Sequence, residues 1–523
     1  MLQKALRMKK IWFIIISVVF LGIYVNFNKI AERFDSRIMG AEVLSMEEID
    51  ALCVGREDAF MEPEITINGG AVAYDADQNM LLVPQNLSEE SFDGKLDVPD
   101  GELYFMEDSG LEDKPGAMGE NKVARLFWIR DARCWMYNVY FTGMPVVQIS
   151  SKDITDTGIT YGTLQVYDQY HSNARCQTAR CQWHLRGATS LDYEKSSYRL
   201  TLTDTKLSFL GMRKDDDWIL HGLYDDEGLI HNKLSYSVWR DIAADNSVEY
   251  DEGISMEYVE LFMDNHYLGV YGLSERMDKK ALNLGKKDIL YKCCEPQNPG
   301  EDDFYRELTE GMSPAFELKY PKEFEMDDWE PLRQWTSMFC FEEPWSFGEG
   351  QEILNIENAV DYTLFNLLIC GMDNNMKNIY FWADYQGDGS YQFIKIPWDL
   401  NMTWGNSWID DNNCNFNRFQ EKNFDAEDGW TSDLYLLYQR NPREIGGLLA
   451  ERWQQLRERI ITKETLTAKA DKEFEYLYSS GAYARNRQKW PPKGEYWQDS
   501  YLYEYIDKRI DFLDAYIEQL QVK

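Results

Sequence analysis

The chain has 523 residues, 90 acidic against 54 basic, for a formal net charge of −36. That length holds a full core plus an accessory module, and the charge repels nucleic acid and anionic lipid while suiting cationic partners or simple solubility. Its 5 histidines form no His-x3-His or His-Glu-x2-His pattern, its 9 cysteines lack zinc-site spacing, and no Gly-x4-Gly-Lys-Ser/Thr loop occurs, which argues against a zinc hydrolase and a P-loop NTPase.

Lys4, Arg7, Lys9 and Lys10 precede an apolar run, Ile11 to Phe27, and no Ala-x-Ala cleavage pattern follows it. This predicts an uncleaved transmembrane signal anchor at 11–27, with the basic segment 1–10 in the cytoplasm and the bulk of the chain extracytoplasmic. Residues 28–60 read as a charged stalk with a short helix around Met46 to Phe60. Residues 61–142 read as a small β-rich accessory module, because apolar runs such as NMLLVPQ, GELYFME and CWMYNVYF are punctuated by Gly, Asp, Asn and Pro. The odd cysteine count rules out complete intramolecular pairing. Cys176 and Cys181 are spaced to close a small loop, whereas vicinal Cys293 and Cys294 make poor partners for each other.

From 143 to 523 strands come first, including PVVQISS, GTLQVYD, CQWHLRG, SSYRLTL, YVELFMD and LGVYGLSE. Helical patterns follow, the clearest being GLIHNKLSYSVWRDI, ENAVDYTLFNLLICG, the Ile445–Ile461 stretch and the terminal YLYEYIDKRIDFLDAYIEQL. A strand-rich first half feeding a helix-rich second half predicts an α+β domain with two lobes.

The densest chemistry lies between Ile356 and Trp404. A helix runs into GMDNNMKN, where Asn378 follows Asp373 by five positions, and a β-hairpin then delivers Pro397, Trp398 and Asp399. Phosphoryl transfer needs a carboxylate at the acceptor hydroxyl, an amide oxygen on magnesium and a second carboxylate joining the metal to the phosphates, and Asp373, Asn378 and Asp399 supply these in that order. Asp-x4-Asn alone is equally the signature of a turn or cap. Upstream, Arg186 and Gly187 lead a loop into a strand in which Lys195, Ser197 and Arg199 share one face, as cations facing nucleotide phosphates would.

Taken together, RGATS with KSSYRL, WILHGLYDDEGLIHNKLSYSVWRDI, YVELFMDNHYLGVYGLSERMD, GMDNNMKN, IPWDLNMTWG and ARNRQKW resemble the spore coat protein H (CotH) kinase family from about Pro145 onward. The resemblance implies a divergent two-lobed protein-kinase-like fold and an atypical protein serine kinase using ATP with Mg2+ or Mn2+ on a basic, Ser/Lys/Arg-rich coat or surface protein. It implies that Asp373 is catalytic, that Asn378 and Asp399 bind metal, and that Arg186, Lys195 and Glu275 serve the nucleotide. Departures from the family pattern are Ser196 where a second basic residue follows the lysine, and Asn401 where Pro-Trp-Asp-x-Asp has its second aspartate. The helix LIHNKLSYSVWRDI also lacks a glutamate for Lys195, leaving Glu227, Glu260 and Glu275 as candidates. A non-catalytic surface-binding protein on the same fold and a nucleotidyl transferase are the alternatives. Carbohydrate hydrolysis lacks an identifiable acid and nucleophile pair.

Overall fold

A computed structural model describes residues 37–56, 61–155, 158–171, 176–187, 189–246, 253–294, 315–340, 344–406, 419–422, 424, 433–492 and 497–521. The expected membrane span at 11–27 lies outside the described residues, and among those no helix is long and apolar enough to cross a membrane.

The N-terminal module starts with β1 (Arg37–Ile38), β2 (Ala41–Leu44), α1 (Met46–Leu52), β3 (Gly55–Arg56), β4 (Thr66–Ile67), β5 (Gly70–Ala71) and β6 (Ala73–Asp75). It continues with β7 (Met80–Pro84), β8 (Leu96–Asp97), β9 (Glu102–Met106), α2 (Lys114–Gly119), β10 (Ala124–Arg130) and β11 (Arg133–Thr142). Ser45 and Glu48 form a reciprocal capping box that starts α1. An eight-stranded sheet in the order β1-β2-β9-β10-β11-β7-β6, with β3 also on β11, forms the module's body. Part of the predicted stalk therefore belongs to the module: β1 and β2 pair, and Glu42 to Leu44 run parallel to Tyr104 to Met106. Its core of Leu81, Val83, Phe105, Leu126, Trp128 and Phe141 extends to Phe262 and Tyr267 of the next unit, so the module docks through apolar contact.

Seven strands then close a barrel in the order β12 (Val146–Ile154), β13 (Thr160–Tyr167), β14 (Cys176–Arg186), β15 (Ser197–Leu202), β16 (Asp217–His221), β18 (His266–Glu275) and β17 (Met256–Met263). Closure comes from parallel pairing of β12 with β17, Val146 opposite Glu260. Residues two apart, such as Val147 with Ile149, Leu164 with Val166, and Val259 with Leu261, point inward and fill the barrel. Cys176 and Cys181 both lie on β14 and are not bonded to each other.

Between β16 and β17 runs α3 (His231–Ala244). Beyond the barrel come β19 (Ile289–Cys293), β20 (Phe316–Tyr320), α4 (Glu330–Cys340), α5 (Phe347–Ile353), α6 (Ile356–Ile369), α7 (Asp373–Met376), β21 (Ile379–Tyr385) and β22 (Tyr391–Pro397). Helices α8 (Asp433–Arg440), α9 (Pro442–Arg459), α10 (Lys463–Ser479), α11 (Ala482–Lys489) and α12 (Asp499–Gln521) complete the chain. Strands β20-β19-β21-β22 make a second sheet, and α6 packs between it and α3, α9 and α12. Helix α6 is buried from Asn358 onward, and its polar Asn358, Asp361 and Asn366 are buried with hydrogen-bond partners. Buried Arg509 of α12 donates from Nε to the Leu367 carbonyl at 2.8 Å, fixing the last helix to α6.

Candidate active site

Helix α6 ends where Cys370 adopts the left-handed conformation at φ 51°, and the chain turns into the short helix α7 that begins with Asp373. Asparagines hold this turn. Asn374 Nδ2 donates to the Trp398 carbonyl at 2.8 Å and to that of Asn378 at 3.2 Å, and the Asn374 carbonyl accepts from the Tyr362 hydroxyl at 3.0 Å. The Asp373 loop is thus tied to the end of the β21–β22 hairpin, whose register sets Ile379 opposite Pro397.

Asn378 Nδ2 donates to Asp373 Oδ2 at 2.8 Å, and Lys377 Nζ lies 3.5 Å from Oδ1. With its amide nitrogen committed to Asp373, Asn378 keeps its amide oxygen as an acceptor. Burial raises the Asp373 pKa above the ordinary carboxylate value; Lys377 opposes this and the nearby Asp399 charge adds to it. Asn378 and Asp399 both sit at φ 57°, a conformation that Asn and Asp tolerate better than most residues and that recurs at functional sites.

Helix α3 positions Asp399. Its Tyr236 hydroxyl accepts from the Asp399 N–H at 3.1 Å, its Asn232 Oδ1 accepts from the Leu400 N–H at 2.7 Å, and its Ser235 hydroxyl accepts from Trp404 Nε1 at 2.8 Å. These residues recur at three and four positions along the helix, so one polar stripe holds residues 399–404. Arg186, at the end of β14, places its guanidinium 5.7 Å from the centre of the Trp398 ring. Gly187 follows at φ 126°, and a Cβ there would lie 1.8 Å from Ser190 Oγ, so the turn after Arg186 requires glycine.

One residue unassigned from sequence joins this group. Asp225, in the loop after β16, accepts from Asn401 Nδ2 at 2.8 Å and from the Tyr193 hydroxyl at 3.3 Å. Burial pushes its pKa up to about 6, with the Asp399 charge adding to the shift and the Asn401 amide opposing it. The signal was the acidic doublet Asp225-Asp226 between a strand and a helix; Asp226 instead accepts from the His231 N–H at 2.9 Å at the start of α3.

Contacts thus tie Asp373, Asn378, Asp399 and Arg186 to one loop and hairpin end, whereas the contacts of Lys195 and Glu275 are made with other residues. Lys195 is 2% exposed, its ammonium donates to the Val270 carbonyl at 2.6 Å and to Asn486 Oδ1 at 2.9 Å, and it lies 5.0 Å from the Tyr271 ring centre. This lysine ties α11 to the barrel. Glu275 is also buried, 3.0 Å from Arg213 Nε, with Oε2 accepting from the Ser255 N–H at 3.0 Å. None of the three glutamates considered for Lys195 is spare: Glu227 lies 3.6 Å from Arg487, Glu260 takes Arg485 at 2.7 Å, and Glu275 takes Arg213.

The ensemble is a mixed α+β domain carrying a cluster of hard oxygen donors on a loop, hairpin and helix, as phosphoryl-transfer enzymes do. A family model described as CotH kinase protein matches residues 184–513, and the chain belongs to that family. A kinase-like fold and a kinase-like function follow from that membership. A search among curated proteins finds no match.

Proposed function

We propose that this chain is a protein serine kinase, anchored by its N-terminal apolar segment and acting outside the cytoplasm on a basic, serine-rich protein. The observation that carries the reading is the convergence of Asp373, Asn378 and Asp399, with Asn378 bonded to Asp373 and the Asp399 charge felt by Asp373. The donors suit magnesium or manganese: the Asp399 carboxylate and the Asn378 amide oxygen are hard ligands on partly exposed residues.

In this mechanism Asn378 and Asp399 would hold the metal, and Arg186, against the Trp398 ring next to Asp399, would serve as the cation for phosphate. Bound metal–ATP supplies the transferable phosphoryl group and neutralises its charge. Asp373 orients the serine hydroxyl and accepts its proton, with Lys377 and Asn378 fixing its two oxygens. Most of the acceleration comes from this positioning.

The test is transfer of label from γ-labelled ATP with Mg2+ or Mn2+ to a Ser/Arg/Lys-rich protein by the full-length chain. Transfer that falls by about 100-fold or more in Asp399→Ala supports the kinase. Absence of both transfer and ATP binding by the wild-type chain would replace it with the surface-binding reading, and label from the α-phosphate would replace it with nucleotidyl transfer.

A further inference from the structure

A second group of ligating side chains lies away from the active site, where the N-terminal module meets the barrel. Asp75 ends β6, Asp77 follows in the turn to β7, and His266 opens β18 after the β17–β18 turn. One ligand atom from each of the three lies within 4.8 Å of the others, and His266 Nδ1 is 3.1 Å from Asp77 Oδ2. In a tetrahedral site with bonds of about 2.0–2.2 Å, neighbouring ligand atoms stand about 3.3 Å apart, a spacing the His266–Asp77 pair already meets and toward which the Asp75 carboxylate would have to close.

The independent observation is the state of Asp75. The residue is 0% exposed; Oδ1 accepts from the Tyr267 N–H at 3.2 Å, whereas Oδ2 is buried and has no hydrogen-bond partner among the described residues. A buried carboxylate oxygen left without a donor is costly, and a cation relieves that cost as a donor would.

The surrounding backbone is set before any ion arrives. The Ala76 N–H donates to the Asn265 carbonyl at 2.8 Å, and Asn79 Nδ2 donates to the Met136 carbonyl at 2.6 Å. Asp264 Oδ1 accepts from the Ser151 N–H at 2.6 Å, fixing the opposite turn to β12. Both turns that carry ligands are thus held by partners outside the group, as outer supports hold a metal's ligands.

We propose that Asp75, Asp77 and His266 bind a divalent cation of the class that takes imidazole nitrogen together with carboxylate oxygen, Zn2+ foremost, and that this ion fastens the module to the barrel. Water completes its coordination on the exposed side, where Asp77 and His266 face solvent. The site shares no residue with the phosphoryl-transfer reading and does not depend on it.

The test is equilibrium dialysis of the metal-free full-length chain against Zn2+, counting ions bound in wild type, Asp77→Asn, His266→Gln and Asp399→Ala. The expected result is that Asp77→Asn and His266→Gln each lose one bound ion or weaken it at least tenfold, whereas Asp399→Ala retains that ion. Zn2+ should also raise the melting temperature of the wild type and fail to do so in either variant. Both altered side chains are exposed, so metal-free melting should be unchanged, which separates loss of the ion from loss of the fold. Equal stoichiometry and affinity in wild type and both variants would overturn the proposal, as would binding of Ca2+ but not Zn2+, because the imidazole would then not be a ligand.

Discussion

Asn401 stands where the family pattern has a second aspartate, yet its amide nitrogen meets the carboxylate of Asp225, which is coupled in charge to Asp399. The negative charge missing from one segment is therefore present on another, held in place by the amide that replaced it. Asp225→Asn should weaken Mn2+ binding and lower phosphoryl transfer by about 10- to 100-fold, the usual range for a group that supports a metal's ligands. Asp225→Asn combined with Asn401→Asp should recover much of both. Titration calorimetry with Mn2+ checks this independently of turnover. If the double variant binds no better than Asp225→Asn alone, the two positions do not exchange a carboxylate. Asp373, Asn378 and Asp399 were legible because they fall on one short continuous segment whose turn and hairpin the sequence spells out. The placement of Lys195 was not, since its partners Val270 and Asn486 lie 75 and 291 positions away.

Among the elements, α11 shows what ARNRQKW holds together. Arg485 binds Glu260 of β17 through two contacts, 2.9 and 2.7 Å, and reaches Asn121 of the module at 2.7 Å. Its neighbour Asn486 accepts from both Lys195 and the Val270 N–H, at 2.9 and 3.0 Å. Two adjacent residues of one helix thus join barrel, module and the segment before β15. Burial pushes the Lys195 pKa down to about 7, opposed by the Asp226 charge. An unfolded lysine titrates near 10.4, so between pH 7 and 10 the unfolded chain binds more protons than the folded one, and Lys195 makes stability rise with pH. Lys195→Met should flatten that rise, which is at most about 1.4 kcal/mol per pH unit for one group. Denaturant melts of both proteins at pH 7 and pH 9.5 measure it, and the KM for ATP should be unchanged where the variant is folded. A large rise in that KM without a change in the pH dependence of stability would return Lys195 to the nucleotide. The individual strands were readable from their alternation; closure of the barrel was not, because β12 and β17 pair across about a hundred residues of intervening chain.

At the scale of the whole molecule, the net charge of −36 favours cationic partners over anionic ones. Ionic interactions between exposed charges extend over about 8 Å at physiological ionic strength and about 3 Å at 1 M salt. On the proposed function, a cationic, serine-rich substrate would be drawn in at low salt and lose that attraction as salt rises, whereas contacts made at close range in the site would persist. The kcat/KM for a basic serine peptide should fall about tenfold or more between 50 and 500 mM NaCl, chiefly through KM, with kcat nearly constant. A neutral serine peptide of the same length should show a much shallower dependence. Steady-state transfer measured across the salt series with both peptides separates attraction from any general effect of salt on the enzyme. Parallel slopes for the two peptides would mean that the acidic surface serves solubility rather than substrate capture, and the basic-substrate part of the proposed function would fall while the chemistry assigned to Asp373 and Asp399 stood.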